Sequence, residues 1–198
     1  MNPHVFLTLA LLMAPQSASD VRRLYDEGRY EEVVRAADQA RDAADNASRL
    51  QYLAAQSYEK LNDPGAARRA YQRVVASGAG GPWASIGRSA AHVMDKQLDL
   101  ALASVNEALE IDGSVPEAHY QRGMVLMLRR EYGDASTAFK RATELEATFA
   151  AAHYYAGLAN YRAKRLDLMT AHFEAFIKLA PNAPERPEVE SILRTVRR

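Results

Sequence analysis

The sequence predicts an all-α protein: a solenoid of about five helix pairs with a C-terminal capping helix. Three observations predict it. The stretch AHYQRG starts at Ala118 and AHYYAG at Ala152, 34 residues on, so alanine, histidine, tyrosine and glycine recur in order at one spacing. A fixed period of this length marks supersecondary units that bury their apolar faces against one another. Alanine is abundant and runs of alternating β-branched residues are missing, which favours helix over strand. The chain has 198 residues, 48% of them apolar, enough to bury a core along such an array.

The period runs through most of the chain. Steps of 34 back from Gly157 reach Gly123, Ser89, Ala55 and Val21, all small but the last. A second column is Met169, Ala135, Ala101, Ala67 and Val33, and a third is Phe173, Phe139, Val105, Tyr71 and Ala37. Small residues persist where two helices must approach closely, and large apolar residues persist where a knob fills the space between them.

Taken in order, residues 1–19 read as an export signal, which would make the protein periplasmic or secreted; the alternative is an uncleaved apolar helix capping the fold of a cytoplasmic protein. Residues 5–14 are apolar apart from Thr8, and small and polar residues follow. That apolar run has the length of a signal core and is too short to span a bilayer. Its leading segment carries no Lys or Arg. Five units follow, near residues 20–47, 48–81, 82–115, 116–149 and 150–183, the first of them degenerate. Each first helix runs into a tight turn: DEGRY, KLNDP, MDKQL, LRREY, RAKRL. Asp63 before Pro64 supplies a capping acceptor ahead of a proline suited to the first helical position. Ser114 and Glu117 have the spacing of a capping box around Pro116. The glycine-rich residues 77–81 form the loosest connection. In residues 184–198, Val189, Ile192, Leu193 and Val196 make one apolar stripe, which suits a helix covering the last exposed face of a solenoid.

These features resemble the tetratricopeptide repeat family. The best copy is PEAHYQRGMVLMLRREYGDASTAFKRATELEATF, residues 116–149, with Gly123, Tyr132, Ala135, Phe139 and Ala142 at the family's small, aromatic, alanine, aromatic and alanine positions. Pro181 stands where the family usually ends a unit on proline. The resemblance covers roughly residues 20–181 and implies a right-handed superhelix whose first helices line a concave groove. It places Tyr52, Gln56, Trp83, Tyr120, Met124, Met127, Tyr154 and Tyr161 on or at the mouth of that groove. Tyrosine offers large contact area with a polar tip, and methionine adapts to irregular partners, so the strip implies a bound peptide or partner helix. The alternative is that the strip packs against neighbouring units, or that an N-terminal segment or the last helix fills the groove. Many exported bacterial members of the family serve secretion, pilus or outer-membrane machinery, and this chain is similar in layout, so the second expectation is a structural subunit of an envelope assembly that uses its edges or convex face.

Composition narrows the function classes. Net charge is zero, with 25 basic and 25 acidic residues, and no basic stripe tracks a nucleic-acid backbone. There is no cysteine, hence no disulfide, thiolate metal site, cysteine nucleophile or cysteine-linked lipid anchor in these residues. No G-x-S-x-G turn, HExxH helix or phosphate loop occurs. The sequence therefore predicts no catalytic residue, no cofactor and no metal. Equivalent histidines in adjacent units, such as His119 and His153, stand about 10 Å apart by helix packing, too far for one zinc at about 2 Å per ligand. His92 and His172 show no partner at ligand spacing.

Overall fold

The structure is a computed structural model, and it describes residues 17–39, 44–78 and 80–196. Its elements are helices: α1 (Ala18–Asp26), α2 (Tyr30–Gln39), α3 (Ala44–Lys60), α4 (Pro64–Ser77), α5 (Pro82–Met94), α6 (Leu98–Ile111), α7 (Pro116–Leu128), α8 (Tyr132–Leu145), α9 (Ala150–Arg162), α10 (Leu166–Leu179) and α11 (Arg186–Val196). No strand occurs among the described residues. The proposed signal segment lies outside them except for its last three residues, where Ser17 caps α1 by accepting a hydrogen bond from the Asp20 amide. No helix among the described residues is long and apolar enough to cross a membrane.

Odd and even helices pair antiparallel, and each pair packs on the next through its second helix. The first helices also touch each other across units, α3 on α5, α5 on α7 and α7 on α9. That puts the odd helices on the inside of the curve. Gly123 and Gly157 make the pairing possible, because a Cβ at either position would overlap the ring of Phe139 or Phe173. Ala67, Ala101 and Ala135 are fully buried at their shared position in the second helices.

The turns within units are built to one pattern. Gly28, Asn62, Lys96, Arg130 and Lys164, 34 residues apart, all have φ between 58° and 77°. At each turn the next amide donates to the carbonyl five residues back, as Glu131 does to Leu126 at 2.9 Å. A left-handed residue with this 6→1 bond is the Schellman ending of an α-helix. Asp63 caps α4 by accepting from the Ala66 amide at 2.9 Å, with Pro64 in the first turn. The capping box around Pro116 does not form. Val115 is the N-cap of α7, the Ser114 hydroxyl donates to Asp112, and Glu117 turns inward instead.

Helix α11 buries Val189 and Leu193 against Met169, Phe173 and Phe176, with Ile192 and Val196 partly buried beside them. It therefore covers the apolar end of the last pair. The chain also closes on itself: Lys60 donates to Glu185 at 2.8 Å, and Gly28 sits against Pro184.

Candidate functional site

The inner face is made by one surface of each odd helix, and the repeat explains why its side chains meet. Arg49, Trp83, Glu117 and Ala151 share one column; Tyr52, Ile86, Tyr120 and Tyr154 share the next position for contact. Curvature brings unit two opposite unit four. Arg49 Nε then reaches Glu117 Oε1 at 2.9 Å, and Arg22 from α1 bonds the same carboxylate. Arg22 also reaches Glu146 at 3.2 Å and lies 3.9 Å above the Phe149 ring. Glu117 is wholly buried between two guanidinium groups. Burial acts to lower the Arg22 pKa, and the charges of Glu117 and Glu146 more than offset it, so the group is held cationic above its ordinary value.

Aromatic residues fill the remaining space. The Tyr52 hydroxyl donates to Gln121 Oε1 at 2.8 Å, and Gln121 donates to Ser89. Tyr120 stacks on Phe149 with centroids 5.0 Å apart and meets Phe139 and Tyr155 edge-on. Trp83 packs on Tyr52 rather than standing open at the mouth of its unit. The Tyr154 hydroxyl donates to Glu188 of α11 at 3.0 Å. Tyr52, Gln56, Trp83, Tyr120 and Tyr154 are all buried, Met124 and Met127 are half-buried, and Tyr161 is exposed. The structure thus brings the tyrosine strip together, but against the chain itself. Where first and last units meet, Tyr25, Asp26, Tyr155 and Glu185 border a cavity of about 20 Å³, room for one water. Burial raises the carboxyl of Asp26 there to about 7, in spite of Arg22 nearby.

Arg22, Arg49, Gln121 and Tyr155 were not singled out from the sequence, and Glu117 only as a helix-capping residue. The signal was present, since Arg22 heads the column of Gln56, Met124 and Leu158, and opposite charges occupy the Arg49 and Glu117 rows of one column.

A separate pairing joins histidines within one unit. His153 Nδ1 lies 3.2 Å from His172 Nδ1, across α9 and α10. His153 and His119 are in different units and make equivalent contacts instead, each through Nε2 to a backbone carbonyl: Ala147 at 3.3 Å and Gly113 at 3.0 Å. The sequence expectation that His172 lacks a neighbour at ligand spacing is corrected by this contact, because the spacing runs between two helices of a unit and not along a column.

Six of the eight large apolar residues exposed among the described residues share a place, whereas Ile111 and Leu179 end α6 and α10 at the turns between units. Large hydrophobic side chains are exposed at Leu61, Leu100, Leu128, Tyr161, Leu166 and Leu168, each in or within four residues of a turn inside a unit. Antiparallel stacking puts all such turns along one edge. Arg130, Arg162, Lys164 and Arg165 are exposed on the same edge and make no ion pair among the described residues. Two exposed carboxylates, Asp134 and Asp167, stand near them in the chain.

A family model described as tetratricopeptide repeat matches residues 21–82, 52–116 and 120–184. Comparison with curated protein sequences gave no match. Among solved structures, a thermophilic TPR protein of Thermus thermophilus, TTC0263, is 22% identical with a TM-score of 0.62, over 89% of this chain and 99% of that one. YrrB, described as a TPR protein with an unusual peptide-binding site, is 20% identical with a TM-score of 0.54, over 88% and 90%. The first TPR of Spaghetti (RPAP3), bound to the HSP90 peptide SRMEEVD, is 16% identical with a TM-score of 0.56, over 59% and 94%. At these identities the likeness is one of fold.

Proposed function

The chain belongs to the tetratricopeptide repeat family, and from that premise we propose that it is a non-catalytic protein–protein interaction module working through its turn edge. One observation carries the choice of surface: the inner face is filled by the chain's own side chains, whereas six large apolar residues stand exposed along the turns. Exposed apolar groups gathered on one face mark a contact surface, and scattered ones do not. Unpaired Arg130, Arg162, Lys164 and Arg165 beside Leu128, Tyr161, Leu166 and Leu168 suit a partner segment with apolar anchors and a surplus of acidic residues. The protein then acts as an assembly subunit, the role suggested by the layout of exported family members. Residues 5–14 and the small residues after them support export of this chain too.

The test is capture from native extract with three baits: wild type, Leu128→Asp with Leu166→Asp and Leu168→Asp, and Arg130→Glu with Lys164→Glu. All the substituted side chains are exposed, so circular dichroism should show unchanged folding. A partner kept by wild type and lost by both variants supports the edge. A partner kept by all three sends the reading back to the inner groove. The mass of the N-terminal peptide of the protein made in its own host checks export: an intact Met1 peptide removes it.

The second reading keeps the groove. It is favoured by the solved neighbour that holds a peptide and by the polar lining of Arg22, Arg49, Glu117 and Gln121. Binding there requires α1 to leave Glu117, so Arg22→Met should tighten a groove partner and leave an edge partner unaffected.

A further inference from the structure

We propose that His153 and His172 form a two-imidazole site for a divalent transition-metal ion of the zinc, copper or nickel class, clamping α9 to α10 in the last unit. It rests on the histidines alone and does not depend on which surface binds a partner.

The separation is the first argument. The two Nδ1 atoms are 3.2 Å apart. Two nitrogens each about 2.0–2.1 Å from one ion at a tetrahedral angle lie about 3.3 Å apart. The rings therefore already stand where a single ion would hold them. Their centroids are 5.3 Å apart, with the planes tilted by 50°.

The second argument is the tautomer. A backbone carbonyl only accepts, so His153 Nε2 against Ala147 O carries the ring hydrogen. Its Nδ1 is left with a lone pair aimed at His172. A metal-bound histidine is commonly oriented in this way, with its other nitrogen donating to a backbone oxygen. Without metal, His172 must supply the hydrogen in the Nδ1–Nδ1 contact. To bind, it moves that hydrogen to Nε2, and no proton is lost.

The surroundings agree. Both rings are half-buried on packed helices, which limits their motion and leaves an open side for water as further ligand. Lys140 is the lysine whose charge acts on His172, and Glu144 pairs with it at 3.0 Å. Imidazole selects zinc, copper and nickel over calcium and magnesium, which prefer oxygen. The repeat supplies an internal control. His119 makes the same Nε2 contact to Gly113 O, but the residue 34 before His172 is Ala138. Unit four holds half the site and unit five the whole of it.

The experiment uses the full chain without a histidine tag, stripped with chelator. Zn²⁺, Cu²⁺ and Mg²⁺ are titrated by calorimetry, with thermal melts at saturation. The expected result is one equivalent of Zn²⁺ or Cu²⁺, an upward melt shift because only the folded state presents the pair, and neither with Mg²⁺. Bound Cu²⁺ should show two nitrogen ligands by electron paramagnetic resonance. His172→Ala, which copies the residue natural to unit four, should weaken binding at least tenfold and abolish the shift. His119→Ala should change neither. Ala138→His should raise the stoichiometry towards two. A wild type that shows no one-equivalent binding, or a shift that survives His172→Ala, overturns the proposal.

Discussion

Glu117 shows how one residue decides the state of the inner face. A carboxylate with no exposure is tolerable only because Arg22 and Arg49 both bond it. Removing it leaves two guanidinium groups, one of them buried, with Glu146 as their one remaining carboxylate among the described residues. Glu117→Ala should therefore cost about 3–5 kcal/mol in chemical denaturation, the usual loss when a buried pair is broken. Replacing all three by apolar residues of similar size, Arg22→Met, Arg49→Met and Glu117→Leu together, should cost far less. A triple variant as unstable as the single one would show that the charges do more than offset each other. The sequence held part of this. Opposite charges in one column, two units apart, were legible as a pattern, but their meeting depends on curvature. Tyr52, Tyr120 and Tyr154 were readable as inner-face residues, and their burial was not. Nothing local distinguishes a tyrosine awaiting a partner from one that reaches Gln121 or Glu188 across the groove.

At the scale of the element, the turns are the most regular feature and also the most locally encoded. Five left-handed residues at a spacing of 34 end the first helices, and four of them are not glycine. A side chain in that conformation is disfavoured by about 1 kcal/mol or more, whereas glycine adopts it freely and loses part of the advantage to its unfolded-state entropy. Arg130 is exposed and unpaired, so little else is lost with it. Arg130→Gly should raise stability by about 0.5 kcal/mol, read from the denaturation midpoint at constant slope. A clear loss would mean that the Arg130 side chain contributes a contact the turn geometry does not reveal. Helix existence and pairing were legible because small and aromatic columns state which faces touch. The His153–His172 contact was not, because columns compare equivalent positions. This contact joins unlike positions on the two helices of one unit.

For the whole molecule, the consequence of closure is that the ends are coupled. A simple solenoid is a chain of nearest-neighbour contacts whose terminal units fray independently. Here Asp26, Tyr25 and Lys60 from the first two units meet Tyr155, Phe176 and Glu185 from the far end around one small cavity. Burial in that seam raises Asp26 from 3.8 to about 7. The folded state thus holds the Asp26 proton more tightly than the unfolded chain does. The stabilisation from this group is complete below about pH 4 and is lost as pH rises through 7. Its loss should lower the melting temperature by roughly 5–11 °C between pH 5 and pH 8 for a chain of this size. Asp26→Asn cannot ionise, so it should remove most of that fall and be the more stable protein at pH 8. Hydrogen exchange locates the effect. At pH 8 the variant should gain protection in α1 and in α9 together, because closing the seam orders both. Protection gained in α1 alone would mean that the two ends open separately and that the array behaves as an open solenoid.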